Sequence, residues 1–256
     1  MSSGEFDFAN AAGQTLSGVL EAPGAKPKAW AVFAHCFTCD KSSLAATRVS
    51  RGLAAEGIGV LRFDFTGLGE SQGAFGQGLS SDARDIVSAA MAMQERDMAP
   101  GLLVGHSLGG AAALSAATDL PSVRAVAVIG APFEASHVLT HLRDAVDDIE
   151  RERTRVSIAG RPFELGPDFV ADLRSQDQAA RIADLDRALL VLHSPLDEVV
   201  PISEAASIFQ AARHPKSFVS LDTADHLLTK REDAEYAAAV IAAWAARYLD
   251  APDPQR

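Results

Sequence analysis

Short runs of apolar residues alternate with segments of helical spacing along most of the chain. The apolar runs, which predict buried strands, lie at 29–34, 58–65, 102–104, 123–129, 188–193 and 217–221. The segments of helical spacing lie at about 43–56, 82–97, 111–118, 203–213 and 231–249. Strands that alternate with helices indicate parallel βαβ crossovers. The pattern therefore predicts an α/β fold with a mostly parallel, doubly wound sheet and helices on both faces.

This alternation stops between residues 134 and 186, where the chain is also more charged. The apolar spacing there predicts one amphipathic helix over 137–150, then a small hairpin that turns at Gly160. A second domain and an insertion that projects from the sheet both fit, but about fifty residues is marginal for an independent core, which favours the insertion. The predicted division is a core at 1–133 and 187–249, an insertion at 134–186, and a Pro-rich tail or linker at 250–256.

Composition excludes several classes of protein. The 256 residues are 48% hydrophobic and 22% charged, as is usual for a globular protein. The net charge of −11 disfavours binding to nucleic acid or to an anionic membrane. No apolar run reaches the ~20 residues of a membrane span, and the acidic, polar N-terminus does not resemble a secretory signal. Two cysteines do not make a disulfide framework, so we expect a protein of the reducing cytoplasm.

The sequence Gly-His-Ser-Leu-Gly at 105–109 stands directly after a predicted strand and directly before a predicted helix. A nucleophile elbow needs this arrangement, because Ser107 must take a strained turn that only small neighbours permit. The helix that starts there directs its N–H groups at a developing oxyanion. A glycine-rich turn with an incidental serine is the alternative, and the position between strand and helix favours the elbow.

A serine hydroxyl becomes a nucleophile when a histidine takes its proton and an acid orients that histidine. Of the seven histidines, His226 follows the last predicted strand in a loop, as a general base should. For His137, His141 and His214, a solvated or structural role is the simpler interpretation.

Asp197 is the predicted acid because it directly follows the strand at 188–193. Asp222 and Asp225 stay open as alternatives, although side chains so close in sequence to His226 seldom point at it. The predicted order is therefore Ser107, Asp197, His226.

Over essentially its whole length the chain resembles α/β-hydrolases. The order Ser…Asp…His, the elbow and the segment Phe63-Asp64-Phe65-Thr66-Gly67-Leu68-Gly69-Glu70-Ser71 all match that superfamily. The segments FAHCFTCDKSS, LRFDFTGLGESQG, IGAPF and ARHPKSFVSLDTADHLL are similar to the hydrolase module that occurs in bacteria alone or fused to an OsmC-type peroxide-reducing domain. The resemblance implies an α/β-hydrolase fold and a cap formed by the insertion. It leaves open whether the module stands alone or has an OsmC-type domain as a partner.

The same resemblance implies where an oxyanion would bind. Its donors would be the N–H groups of Phe37, in His35-Cys36-Phe37, and of Leu108, which follows the nucleophile. Cys36 stands where glycine is common in the family. Four side chains are predicted substrate contacts: Cys36, His106, Phe133 and Phe163.

Cys36 and Cys39 form a C-x-x-C pair. A zinc site would need two more ligands at metal spacing, which the sequence does not offer, so no metal is expected. We interpret both cysteines as small residues that line the site, with thiol-redox chemistry as the alternative.

These residues predict a serine hydrolase that cleaves carboxylic esters or thioesters through an acyl-enzyme and needs no cofactor. Two alternatives remain: a non-catalytic hydrolase-like module that docks an OsmC-type partner, and a cofactor-free perhydrolase.

Overall fold

The computed structural model describes residues 1–158 and 160–249, so the predicted tail at 250–256 lies outside the described residues. The strands are β1 (Ser2–Glu5), β2 (Phe8–Ala9), β3 (Thr15–Leu16), β4 (Gly18–Ala22), β5 (Ala29–Ala34), β6 (Ile58–Phe63), β7 (Leu102–His106), β8 (Ala125–Ile129), β9 (Thr154–Ile158), β10 (Arg161–Leu165), β11 (Ala188–His193) and β12 (Lys216–Ser220). The helices are α1 (Leu44–Ala55), α2 (Leu79–Gln94), α3 (Leu108–Ala116), α4 (Val146–Arg151), α5 (Pro167–Ser175), α6 (Gln178–Ala183), α7 (Ile202–Ala211) and α8 (Arg231–Leu249). Two 3-10 helices lie at Ala117–Asp119 and Ala135–Leu142.

The central sheet has eight strands in the order β1-β4-β6-β5-β7-β8-β11-β12. All pairs from β6 to β12 are parallel, and only β1 and β4 run antiparallel to their neighbours. The strand order reverses at β5, since β6 lies on one side of it and β7 on the other. The predicted α/β-hydrolase fold, with a mostly parallel sheet, is confirmed. Ligand sites in such sheets lie beyond the carboxyl ends of the strands at this switch point.

Strand β5 explains why the apolar runs are continuous instead of alternating. Its side chains point in turn to opposite faces of the sheet. Val32 and Ala34 join the apolar cluster on one face, whereas Ala31 and Phe33 join the cluster on the other. Both faces are covered by helices, so neither set of positions can be polar.

Helices α1 and α8 cover one face and contact each other directly. A Cβ atom at Gly52 would lie 2.5 Å from the Cβ of Ala238, so the two helices approach closely at this point. Arg48 of α1 donates a hydrogen bond of 2.6 Å to the carbonyl oxygen of Thr229, which lies just before α8. Helices α2, α3 and α7 cover the other face.

The segment between β8 and β11 does not contain the single helix predicted at 137–150. It forms the 3-10 helix Ala135–Leu142 and then the separate helix α4, so that prediction is wrong. The N–H of Ala145 bonds to the carbonyl oxygen of Leu142, and α4 begins after this turn. Asp147 and Asp148 fall in the first turn of α4, where the helix dipole favours acidic side chains; late in one long helix they would be unfavourable.

The rest of this segment contains the predicted hairpin, formed by the antiparallel strands β9 and β10, and then α5 and α6. Ile149, Leu165 and Phe169 are buried in the same apolar cluster as α2 and α3. The segment therefore packs on the sheet through a shared core, and its status as a separate insertion stays a prediction.

Candidate active site

Ser107 lies between the end of β7 and the start of α3, with φ of +55°. This left-handed backbone conformation is costly for a residue with a side chain, and it is the one that a nucleophile elbow requires. The turn is held by two backbone hydrogen bonds, from Ser107 N–H to the oxygen of Ile129 (2.9 Å) and from Gly110 N–H to the oxygen of Ser107 (2.8 Å). Ser107 is 8% exposed.

Gly109 brings the start of α3 against the end of β5. A Cβ atom at this position would lie 2.2 Å from the carbonyl oxygen of His35 and 2.5 Å from that of Ala34, so only glycine fits. The loop 35–43 that follows β5 therefore leaves the sheet beside the elbow. Among the described residues, the N–H groups of Phe37 and Leu108 make no hydrogen bond. Two backbone donors at the carboxyl edge of the sheet are thus free to bind an oxyanion.

His226, in the loop between β12 and α8, joins Ser107 to Asp197. Its Nε2 lies 3.0 Å from the hydroxyl of Ser107, and its Nδ1 lies 2.7 Å from Oδ2 of Asp197. Because an ionised carboxylate only accepts, Nδ1 carries the proton and Nε2 accepts from the serine. Gly130, at the end of β8, makes room for this pair, since a Cβ there would lie 3.1 Å from Oδ2 of Asp197 and 3.3 Å from Nδ1 of His226.

Asp197 is fixed by more than the histidine. Its Oδ1 accepts hydrogen bonds from the N–H groups of Val199 (2.9 Å) and Val200 (2.8 Å). Burial raises the pKa of this carboxyl, but the hydrogen bonds and the charge of His226 outweigh burial, so the pKa lies below its ordinary value. The group is therefore an anion at neutral pH and stabilises a protonated His226.

Neither alternative acid is hydrogen-bonded to His226. Asp225 accepts hydrogen bonds from the backbone and hydroxyl of Thr229, and Asp222 is exposed at the turn after β12. The sequence argument that near neighbours seldom face each other holds for this loop.

His106 is buried beside the base, with ring centroids 5.1 Å apart. Its Nε2 donates to the carbonyl oxygen of His226 at 2.7 Å, and burial lowers the pKa of His106 to about 3. The ring is therefore neutral and supports the loop of His226. This contact places the predicted substrate residue His106 against protein backbone.

Phe37 and Phe163, of which Phe163 is a predicted substrate contact, belong to one aromatic cluster. Phe37 stacks on Phe169 of α5 and contacts Phe75, which in turn contacts Phe163 of β10. The cluster joins the loop after β5 to the segment between β8 and β11. Phe133, also a predicted contact, is half-buried, and its N–H donates to Glu204 (2.8 Å).

Cys36 and Cys39 form a disulfide. Their interpretation as small residues that line the site did not include this bond, and their place at the site stays a prediction. Spacing in sequence did not exclude a disulfide here, because the turn of the loop brings Cα atoms three residues apart to 5.3 Å, within the range for a disulfide.

An ionic cluster beneath the loop 35–43 was not predicted. Asp64, which is 0% exposed, accepts hydrogen bonds of 2.6 Å from both the backbone N–H and the Nζ of Lys41, and of 2.9 Å from the N–H of Glu70. Arg62 adds a hydrogen bond to the oxygen of Lys41 (2.6 Å). A carboxylate between two phenylalanines, Phe63 and Phe65, at the end of an apolar run is the signal that could have marked Asp64 as structurally important.

His193 is a second unpredicted neighbour of the site. Its Nε2 bonds to the oxygen of Val200 (2.8 Å) and lies 3.7 Å from Oδ2 of Asp197. Burial lowers its pKa, so it braces the acid's loop as a neutral ring.

Within residues 1–158 and 160–249, no cluster of three or more His, Cys, Asp or Glu side chains could hold a metal ion. No helix in the same part of the chain has both the length and the apolar character to cross a membrane.

The sequence model of the hydrolase family described as "Serine aminopeptidase, S33" matches residues 25–159, more than half of the chain. The protein belongs to this family. No curated protein matches the chain.

Solved structures extend the likeness of this S33-family hydrolase to its whole length. An esterase domain from a Rhodothermus marinus protein is 40% identical, with a TM-score of 0.79, and the match covers 97% of this chain and 100% of that one. The α/β hydrolase GrgF from Penicillium sp. sh18 is 15% identical with a TM-score of 0.81, over 98% of this chain and 100% of that one. Est1E from Butyrivibrio proteoclasticus, with ferulic acid bound, is 17% identical with a TM-score of 0.78, over 96% and 100%.

The two more distant structures share the fold. An OsmC-type partner of the S33-family chain stays a prediction.

Proposed function

We propose that the protein is a serine esterase that cleaves carboxylic esters, thioesters included, through an acyl-enzyme. The single observation that carries the proposal is the hydrogen-bonded chain from Ser107 through His226 to Asp197, with lengths of 3.0 and 2.7 Å. A non-catalytic module would not need these three side chains, from separate loops, to meet.

In the proposed reaction, Oγ of Ser107 attacks the acyl carbon while Nε2 of His226 takes its proton. Asp197 stabilises the imidazolium that forms, and the N–H groups of Phe37 and Leu108 bind the oxyanion. The imidazolium then donates its proton to the leaving alcohol. A water molecule, deprotonated by the same His226, releases the acid and restores Ser107.

Esters are favoured over peptides by the 40% identical esterase domain, although the family is named for an aminopeptidase. The same nucleophile could act on either bond, so the choice depends on how the leaving group binds. We expect turnover of p-nitrophenyl esters and little turnover of amino-acid p-nitroanilides at equal concentration.

A fluorophosphonate probe tests the nucleophile directly, because it forms a covalent bond only with an activated serine. Wild-type protein should be labelled and should hydrolyse p-nitrophenyl esters, and Ser107→Ala should do neither. Ser88→Ala is the matched control, since the Ser88 hydroxyl is on α2 and bonds to the oxygen of Arg84 (2.9 Å). Equal labelling of wild type and Ser107→Ala would contradict the proposal.

A further inference from the structure

The disulfide between Cys36 and Cys39 encloses Phe37, whose N–H is a proposed oxyanion donor. The covalent ring contains four residues and lies in the loop between β5 and α1. The chain has two cysteines, both in this ring, so thiol chemistry on the protein is confined to this loop.

The two ends of the loop are held without the disulfide. On one side, Nδ1 of His35 donates to the oxygen of Cys36 (2.9 Å), and on the other the N–H of Lys41 donates to Asp64 (2.6 Å). The middle, which carries Phe37, is held by the ring closure, by a backbone hydrogen bond from Cys39 N–H to the oxygen of Cys36 (3.0 Å) and by the stacking of Phe37 on Phe169.

Thr38 shows that this middle part is constrained. Its φ of +60° lies in the left-handed region, which is unfavourable for a β-branched residue and persists only where the surroundings impose it. Outside the ring, its backbone is held by a hydrogen bond from Arg161 to its oxygen (2.9 Å). Opening the disulfide removes the covalent constraint, so that only hydrogen bonds to the oxygen of Cys36 and the aromatic contacts of Phe37 then hold the Cys36–Phe37 peptide, which carries the N–H of Phe37.

The two sulfur atoms differ in access. Cys36 is 5% exposed, whereas Cys39 is half-buried, so an incoming thiolate reaches Cys39 first.

We propose that Cys36 and Cys39 are a reversible thiol–disulfide site whose reductant is a dithiol, and that the disulfide form is the faster hydrolase. This inference rests on the proposed function. A thiolate of the dithiol attacks Sγ of Cys39, the Cys36–Cys39 bond breaks, and Cys36 leaves as a thiolate that takes a proton. The second thiol of the reductant then displaces Cys39, which also ends as a thiol, while the dithiol is oxidised to its own disulfide.

The test compares one protein in two redox states. The protein is reduced with dithiothreitol and then desalted under nitrogen, so that the reagent cannot cleave the substrate. It is then assayed with a p-nitrophenyl ester. The number of free thiols in each sample is measured by alkylation and mass spectrometry. Reduced Ser107→Ala serves as the blank for any turnover by the protein's own thiols.

We expect kcat of the reduced form to fall by about tenfold. Removal of a whole oxyanion donor lowers the rate by ~10²–10³, and the loss here is smaller because the N–H is misoriented and not removed. KM should change much less, since the donor acts on the transition state. Oxidised dithiothreitol should restore both the disulfide and kcat. The double variant Cys36→Ser/Cys39→Ser should resemble the reduced form and should not respond to either reagent.

Equal kcat in the two redox states, or a double variant that still responds to dithiothreitol, overturns the inference. The inference is also overturned if the protein keeps two free thiols after treatment with oxidised dithiothreitol. Absence of ester turnover in both states overturns the proposed function, and the inference with it. A disulfide that opens and closes without any change in turnover overturns this inference alone.

Discussion

The central sheet and the segment between β8 and β11 are both folded around buried aromatic and aliphatic side chains, but they achieve this with different local structure. The inner parallel strands β5, β7, β8 and β11 are apolar on both faces and have helices above and below them. The segment consists of a 3-10 helix, three helices of six to nine residues and a hairpin, all packed on one side. Helices this short are marginal alone. The strands therefore carry in their own sequence the pattern that forms the sheet. The short helices of the segment, in contrast, need their contacts with the sheet to be stable.

This comparison extends to the site. The proposed nucleophile Ser107, acid Asp197 and base His226 all follow strands of the sheet, namely β7, β11 and β12. The segment contributes Phe163 and Phe169 to the aromatic cluster at Phe37. We therefore expect changes at the sheet edge to act on every substrate alike, and changes in the segment to act on stability and on the choice of substrate.

The largest expected effect comes from Asp197→Asn. The amide cannot hold His226 in the tautomer that accepts from Ser107, so kcat should fall by ~10³–10⁴. Every ester in a panel graded by acyl size should lose turnover by the same factor. Asp225→Asn is the control, since that exposed carboxylate bonds to Thr229, and its kcat should stay near that of wild type. If kcat fell further in Asp225→Asn than in Asp197→Asn, Asp225 and not Asp197 would be the acid that orients His226.

Next comes a pair of core truncations, one in each region. Phe33 of β5 is 0% exposed and Phe169 of α5 is 2% exposed. Each change to alanine should lower the free energy of unfolding by about 3–5 kcal/mol, because a large cavity remains. Urea denaturation followed by fluorescence and by circular dichroism should give one transition for both variants. A separate early transition for Phe169→Ala would show that the segment unfolds by itself.

The smallest effect concerns the contact between α2 and α5. Burial, and then the charges of Asp85 and Asp172, raise the pKa of Asp82 well above its ordinary value. A carboxyl with a raised pKa binds a proton more tightly in the folded state, so stability falls as pH rises above the unfolded pKa. Asp82→Asn should therefore raise the free energy of unfolding by about 1 kcal/mol at pH 7 and leave it unchanged at pH 3. The value at pH 7 allows for the loss of a favourable charge in the first turn of α2.

Thermal or urea unfolding of Asp82→Asn at both pH values checks this expectation. Asp147→Asn, on the exposed side of α4, is the control. A variant less stable than wild type at pH 7 would show that the carboxylate at position 82 is favourable in the fold.

The sequence predicted the sheet well, for a physical reason. A strand covered on both faces must be apolar throughout, as in 29–34, and that pattern is visible without any structure. The meeting of Ser107, Asp197 and His226 was predictable because the carboxyl ends of parallel strands share one edge. Their catalytic roles stay a prediction until they are tested.

What the sequence did not reveal depends on contacts through space. Nothing near Asp64 in sequence indicates that Lys41 will pair with it, and the disulfide follows from a turn in the loop after β5. At 137–150 the apolar spacing fits one long helix as well as it fits the 3-10 helix followed by α4 that the structure shows.

Helices α1 and α8, in close contact at Gly52 and Ala238, are the direct continuations of the two loops that carry Phe37 and His226. Arg48 adds a brace between them at the oxygen of Thr229. A bulkier residue at position 52 would thus push α1 and α8 apart, and with them the loops that carry Phe37 and His226. Turnover can therefore be altered by substitutions at this contact between α1 and α8, although neither Gly52 nor Ala238 belongs to the candidate site.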